Sequence, residues 1–363
     1  MNSRERILAA IRLQVPDRVP CSPHVAPAMV AQMAPEEWEA LLTRTDVTMS
    51  VGGLSDEQIF GGQYWLDHSE VQRENGTTTV HVETPKGTLC TRCVATRETS
   101  WVADHYFKTE ADIERLWSVP YELPAFDVAA YREWEKRIGE EGLVALGIPS
   151  AFRFCLGFFG SQRLYLAIAD QPDLVERLVA TMNERLALYV EACCQKGVRS
   201  YWIGGSEHCG PGVVNPRVFR RMITPYDKQI VDLIHEHGGI VNYHTHGKLH
   251  DILDEIAEIG VDVMSPIETG LRGDVTLAEA KARVGDRVCL KGNLDDMAFL
   301  AQAGPAEVQA AAGACIAQAA AGGGFILSGT DAGIYTPQWA KRFLLMAEVA
   351  GMHPYEGTSC TRK

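Results

Sequence analysis

Short apolar runs alternate along the chain with longer stretches whose apolar residues recur every three or four positions. The runs "RVPCSPHV" (18–25), "DVTMSVG" (46–52), "LVALGIP" (143–149), "SYWIGGSE" (200–207), "GIVNYHTH" (239–246), "VDVMSPIE" (261–268), "RVCLKGN" (287–293) and "GFILSGTD" (324–331) have the length and composition of strands. Between them, "PDLVERLVATMNERLALYVEACCQKG", "PYDKQIVDLIHEHGG", "KLHDILDEIAEIG" and "PAEVQAAAGACIAQAAAGG" carry helical spacing and stop at glycine. Eight strands in β-α alternation predict an α/β chain, a single (β/α)8 TIM-type barrel ringed by helices and occupying 1–363. Residues 60–110 break the pattern. They alternate with period two and turn at Asn75-Gly76, which predicts a β-hairpin inserted after the second strand.

Composition narrows the function. Hydrophobic residues make up 46% and charged residues 22%, as in ordinary globular domains. The formal charge is −13, which disfavours a phosphate backbone, so no nucleic-acid partner is expected. No run reaches the length of a membrane span, and "MNSRERILAAIRLQVPDRVP" does not read as an export signal. The ten cysteines, from Cys21 to Cys360, are scattered and read as reduced thiols of a cytoplasmic protein. Cys90 and Cys93 form a lone C-x-x-C in a strand-like run and lack the second pair that a structural zinc site needs.

Candidate chemistry gathers at the strand ends. In "YHTHG", His244 and His246 stand two apart and share one side of a strand, with Tyr243 and Thr245 on the other. At the C-terminal end of a barrel strand that side is the mouth, where barrel active sites lie, and two imidazoles there can share one metal ion. The competing reading is a pair of histidines satisfied by hydrogen bonds. Gly247 lets the chain turn sharply. His235 and His237 fall at a helix end and His250 on a helix, so none of these is a site candidate. Other strand ends supply polar groups: Glu207, His208 and Cys209 after the fourth, Glu268 after the sixth, Lys291, Asn293 and Asp295 on the seventh, and Asp331 after the eighth.

The chain resembles the superfamily of uroporphyrinogen decarboxylase and its relatives, the zinc-dependent corrinoid and thiol methyltransferases. The resemblance runs from "SRERILAAIRLQVPDRVP" through "NPRVFRRMITPYDKQIVDLIHEHGG", "YHTHGKLHDILDEIAEIGVDVMSPIE" and "LKGNLDD" to "GGFILSGTDAGIYTP". True decarboxylases carry an arginine-rich N-terminal signature, whereas "CSPHVAPAMVAQMAPEEW" holds no arginine. The methyltransferases show His-x-Cys where this chain has His244-Thr245-His246. Their second cysteine aligns with Thr330, and Asp331 is the nearest residue able to bind a metal.

The resemblance implies a zinc ion held by His244, His246, Asp331 and Glu207, the two carboxylates also serving as catalytic groups. Glu268, Asn293, Lys291, His24 and Tyr243 become the candidate substrate contacts. Imidazole and carboxylate are harder ligands than thiolate and suit an oxygen-bearing methyl donor. The expected function is transfer of a methyl group from a small donor, a methyl ether, to a corrinoid carried by a separate protein. Two alternatives stay open: a decarboxylase of a small acid, with Lys291 or Arg153 holding the carboxylate, and a non-catalytic ligand-binding barrel. A homodimer is allowed but not required.

Overall fold

The computed structural model describes residues 1–97 and 99–352, so Cys360 lies outside the described residues. In chain order the strands are β1 (His24–Val25), β2 (Val47–Gly52), β3 (Ser69–Glu74), β4 (Thr77–Thr84), β5 (Gly87–Ala95), β6 (Ser100–Asp104), β7 (Gly142–Pro149), β8 (Ser200–Gly204), β9 (Ile240–His244), β10 (Val263–Ser265), β11 (Cys289–Leu294) and β12 (Phe325–Gly329). Eight of them form one parallel sheet in the order β1-β2-β7-β8-β9-β10-β11-β12. The sheet closes on itself: Ser22 N–H donates to Leu327 O at 2.8 Å and Leu327 N–H to Pro20 O at 2.9 Å. This is the expected (β/α)8 barrel; each observed strand overlaps its predicted run, with β7 starting one residue earlier and β11 ending one residue later. No helix of the described residues is long and apolar enough to cross a membrane.

The helix Ser3–Ile11 plugs the lower end of the barrel. A capping box between Asn2 and Glu5 starts it, and Ile7, Ala10 and Ile11 pack against Val263, Cys289 and Ile326. Above the plug the interior is filled, leaving about 20 Å³, room for one water. The plug is tied down by Asp46, which is fully buried just ahead of β2. Its carboxylate accepts from Arg6 Nη1 at 2.7 Å, Arg18 Nη1 at 2.7 Å and the Cys21 N–H at 2.9 Å.

Between β2 and β7 the barrel is interrupted by two short helices, Asp56–Phe60 and Gly62–Asp67, and by an antiparallel sheet in the order β3-β4-β5-β6. Asn75 and Gly76 both take positive φ, 49° and 76°, as a tight hairpin turn requires. The insertion is larger than one hairpin. A second two-residue turn joins Thr84 to Gly87, and its Pro85-Lys86 lacks the usual hairpin signature. Cys90 and Cys93 lie within β5 as free thiols. His250 is not helical, since the helix begins at Leu253; its backbone N–H instead donates to Asp274.

Replacing Asp46 with alanine removes the buried carboxylate shared by Arg6, Arg18 and the Cys21 N–H, while Arg6 keeps Asp17. Asp46→Ala should destabilise the fold by roughly 2–3 kcal/mol, the scale of lost hydrogen bonds to a charged group. Urea denaturation of both proteins measures it, and a loss below about 1 kcal/mol, the worth of a surface pair, would show that the anchor is dispensable.

Candidate active site

Strand alternation decides which side chains enter the mouth. β9 sends His244 inward and Tyr243 outward, where its hydroxyl donates to Asp227 on the helix Thr224–Glu236. His246 follows His244 onto the same side. Their Nε2 atoms are 2.9 Å apart, and the rings meet edge-on at 4.5 Å. Gly247, at φ 95°, turns the chain and donates its N–H to Glu268 Oε2 at 2.7 Å. The other oxygen of Glu268 lies 3.2 Å from His246 Nδ1. Glu268 thereby favours the Nδ1–H tautomer of His246 and leaves its Nε2 lone pair aimed at His244.

A polar cluster lies beside this pair. Lys291, on β11, is fully buried; its Nζ sits 2.8 Å from Asp331 Oδ2 and 3.2 Å from Thr48 Oγ1. Asp331 takes the left-handed conformation, φ 55°, which aspartate tolerates better than most residues. Ser328 Oγ donates to its second oxygen at 3.3 Å. His24 Nε2 is 2.9 Å from Ser50 Oγ. The indole of Trp202 lies between two imidazoles, with its centroid 5.8 Å from His24 and 4.7 Å from His244.

Burial and neighbours set the charges. Burial holds His244 far below the ordinary histidine value and pushes His24 down to about 4, so both are neutral near pH 7. Burial also opposes a charge on His246, but Glu268, with help from Glu207 and Asp331, outweighs it and raises that pKa. For Asp331, burial works against ionisation, and the Lys291 ammonium leads the groups that more than offset it.

The structure brings His244, His246, Glu268, Lys291, Asp331 and His24 to the mouth. Two expectations are revised. Tyr243 does not face the mouth, because strand parity turns it outward. Asn293 reaches the outer helix, where Cys315 Sγ donates to its Oδ1 at 3.2 Å, and with Glu268, Arg272 and Phe299 it lines an adjoining cleft of about 250 Å³. Glu207 and Asp331 do not complete a ligand set with the histidines: Glu207 accepts from Gly205 N–H at 2.9 Å, and Asp331 closes on Lys291. Thr330 accepts from the Asp296 N–H and stays out of the cluster. Sequence reasoning passed over Trp202, Thr48 and Ser50, which read as strand core; their inward parity was the available clue.

A zinc ion asks for three or four protein donors. Among the described residues no three His, Cys, Asp or Glu side chains come together in that way. The Nε2 atoms of His244 and His246 do converge, 2.9 Å apart. These two imidazoles would supply part of an ion's donor set, and the four-ligand cage expected from the sequence is not formed among the described residues.

Glu268→Gln should lower the His246 pKa, because it removes the leading charge that raises it. Histidine NMR titration of metal-free protein measures this. With the folded pKa raised, the contact stabilises the protein below the ordinary histidine value and is lost as pH rises through the folded one; the variant's stability should vary less over that window. An unchanged His246 titration would detach Glu268 from this role.

Two curated proteins and one solved structure are similar to this chain. Uroporphyrinogen decarboxylase of Paraburkholderia phytofirmans is 32% identical over 136 residues, covering 36% of this chain and 34% of that protein. The enzyme of Methylibium petroleiphilum is 32% identical over 145 residues, 39% of this chain and 36% of that one. The matches thus span about a third of these curated relatives. A methyltransferase from Methanosarcina mazei shares the fold over 96% of this chain and 98% of its own, with a TM-score of 0.63 and 15% identity. The model of the family described as uroporphyrinogen decarboxylase (URO-D) matches residues 100–336, well over half the sequence, and the chain belongs to that family.

Proposed function

We propose that this chain is a methyltransferase that removes the methyl group of a small methyl ether and delivers it to a corrinoid carried by a separate protein, with a divalent ion that His244 and His246 would hold in part, water or substrate filling the rest of its coordination. The observation that carries this reading is the convergence of the two Nε2 atoms, 2.9 Å apart at the barrel mouth and backed by Glu268. The methyltransferase of similar fold supports it.

When bound, the ion would supply Lewis acidity toward the ether oxygen, and imidazole ligands leave it harder than thiolates would. The chain's own residues prepare the site. Glu268 orients His246, and burial keeps His244 neutral, as a ligand must be. Lys291 and Asp331 neutralise one another, so the mouth adds no net charge from that pair. Trp202 covers one side of His244 and limits water there. A leaving alkoxide or phenoxide gains charge only in the transition state, and stabilisation that appears at that point accelerates the reaction.

The decarboxylase reading has less support. Its two candidate carboxylate holders are already engaged, Lys291 with Asp331 and Arg153 with Asp56 at 2.9 Å.

Metal analysis of purified protein should find one divalent ion per chain, and His244→Ala/His246→Ala should lose it while keeping the barrel's circular dichroism. Methyl ethers incubated with reduced corrinoid should be demethylated only by metal-loaded protein. Full metal retention in the double variant would move the ion elsewhere. Brisk methylation of thiols without ether cleavage would overturn the choice of donor.

A further inference from the structure

The two imidazoles of the mouth are not held alike. His246 has Glu268 on its Nδ1, whereas His244 Nδ1 is buried and has no hydrogen-bond partner among the described residues. A ligating histidine is ordinarily oriented by a bond to its second nitrogen. His244 lacks that bond, so its place has to come from Trp202 beside the ring and from the strand that carries it.

That strand is gripped from behind. Tyr243 precedes His244 on β9 and points the other way, and its hydroxyl donates to Asp227 Oδ2. The other oxygen, Oδ1, accepts from Ser150 Oγ at 2.7 Å. Ser150 follows β7, and its N–H donates at 2.8 Å to the carbonyl of Gly204, the last residue of β8. One carboxylate on the helix Thr224–Glu236 therefore ties together the ends of β7, β8 and β9. Asp227, Ser150 and Tyr243 are all buried.

An acid at this place is unfavourable by itself. Burial pushes the Asp227 carboxyl up to about 6 against the pull of the two hydroxyls, and no cation helps to hold its charge. An asparagine would avoid the charge, but it would turn a donor toward one of the two hydroxyls, whereas a carboxylate accepts from both. We propose that Asp227 is the positioning residue of His244. By holding the Tyr243 hydroxyl on the outer side of β9 it fixes how far His244 turns toward His246 on the inner side, and through Ser150 it fixes β7 and β8 alongside. The metal part of this assignment rests on the methyl-transfer reading; the placement of the ring does not.

NMR of the metal-free full chain and zinc titration calorimetry test this together. The His244 ring lies 4.7 Å from the Trp202 indole, so its proton shifts carry the indole's ring current and report where the imidazole sits. Tyr243→Phe keeps the aromatic ring and removes only the hydroxyl. It should move the His244 signals and weaken zinc binding about tenfold, the lower end of what loss of an outer support costs a metal site. Asp227→Asn should do the same. Asp227→Asn/Tyr243→Phe should be no worse than Asp227→Asn alone, since both act through one bond. Asp46→Ala, which loosens the plug at the far end of the barrel, should lower stability and leave the His244 signals in place. Unmoved His244 signals in both single variants, or signals that move with zinc affinity unchanged, would overturn the assignment. A wild type that binds no zinc, with His244 signals that still move in the variants, would keep the positioning role and remove the metal from the methyl-transfer reading.

Discussion

A lysine ammonium inside a barrel has no water to solvate it, and the arrangement of the mouth follows from that constraint. Lys291 is fully buried and needs an anion within contact distance, which Asp331 provides at 2.8 Å. To reach it, the chain leaving β12 adopts a left-handed turn at Asp331, and Ser328 holds the second carboxylate oxygen. Thr48 takes a further contact with Lys291 and also bonds Ser22 Oγ at 2.9 Å, so β2, β11, β12 and the segment ahead of β1 meet at one polar knot. The knot is complete in itself, which is why Asp331 is withdrawn from the histidines.

The two histidines then experience opposite surroundings. His244 sits against Trp202 in a dry niche and stays neutral. His246 is drawn toward protonation by Glu268, which a second bond from the Gly247 N–H fixes in place. Two like groups pushed apart in proton affinity within one cluster are a recurrent mark of catalytic sites.

Much of this was legible in the sequence. Short continuous apolar runs set against helical spacing of three or four located the eight barrel strands, because a parallel strand covered on both faces is continuously apolar. The spacing of His244 and His246 was enough to place them on one side. The second half of the inserted sheet was not legible, since Pro85-Lys86 carries no hairpin signature. Nor was the destination of Asp331: a lone acidic residue after a strand does not announce that a buried lysine 40 positions earlier will claim it. Trp202 was hidden because an aromatic in an apolar run reads as core, and only the closed barrel shows it between two imidazoles.

The plug formed by Ile7 and Ile11 gives the barrel a single doorway. Whatever small molecule reaches His244 must pass the loops above β2, β8 and β10, and so must any larger body that approaches it. A macromolecule seated on that rim would seal the route behind the small one. Under the proposed reaction, shape would then impose an order in which the small reactant enters first, the large one last, and the small product leaves only after the large one has gone.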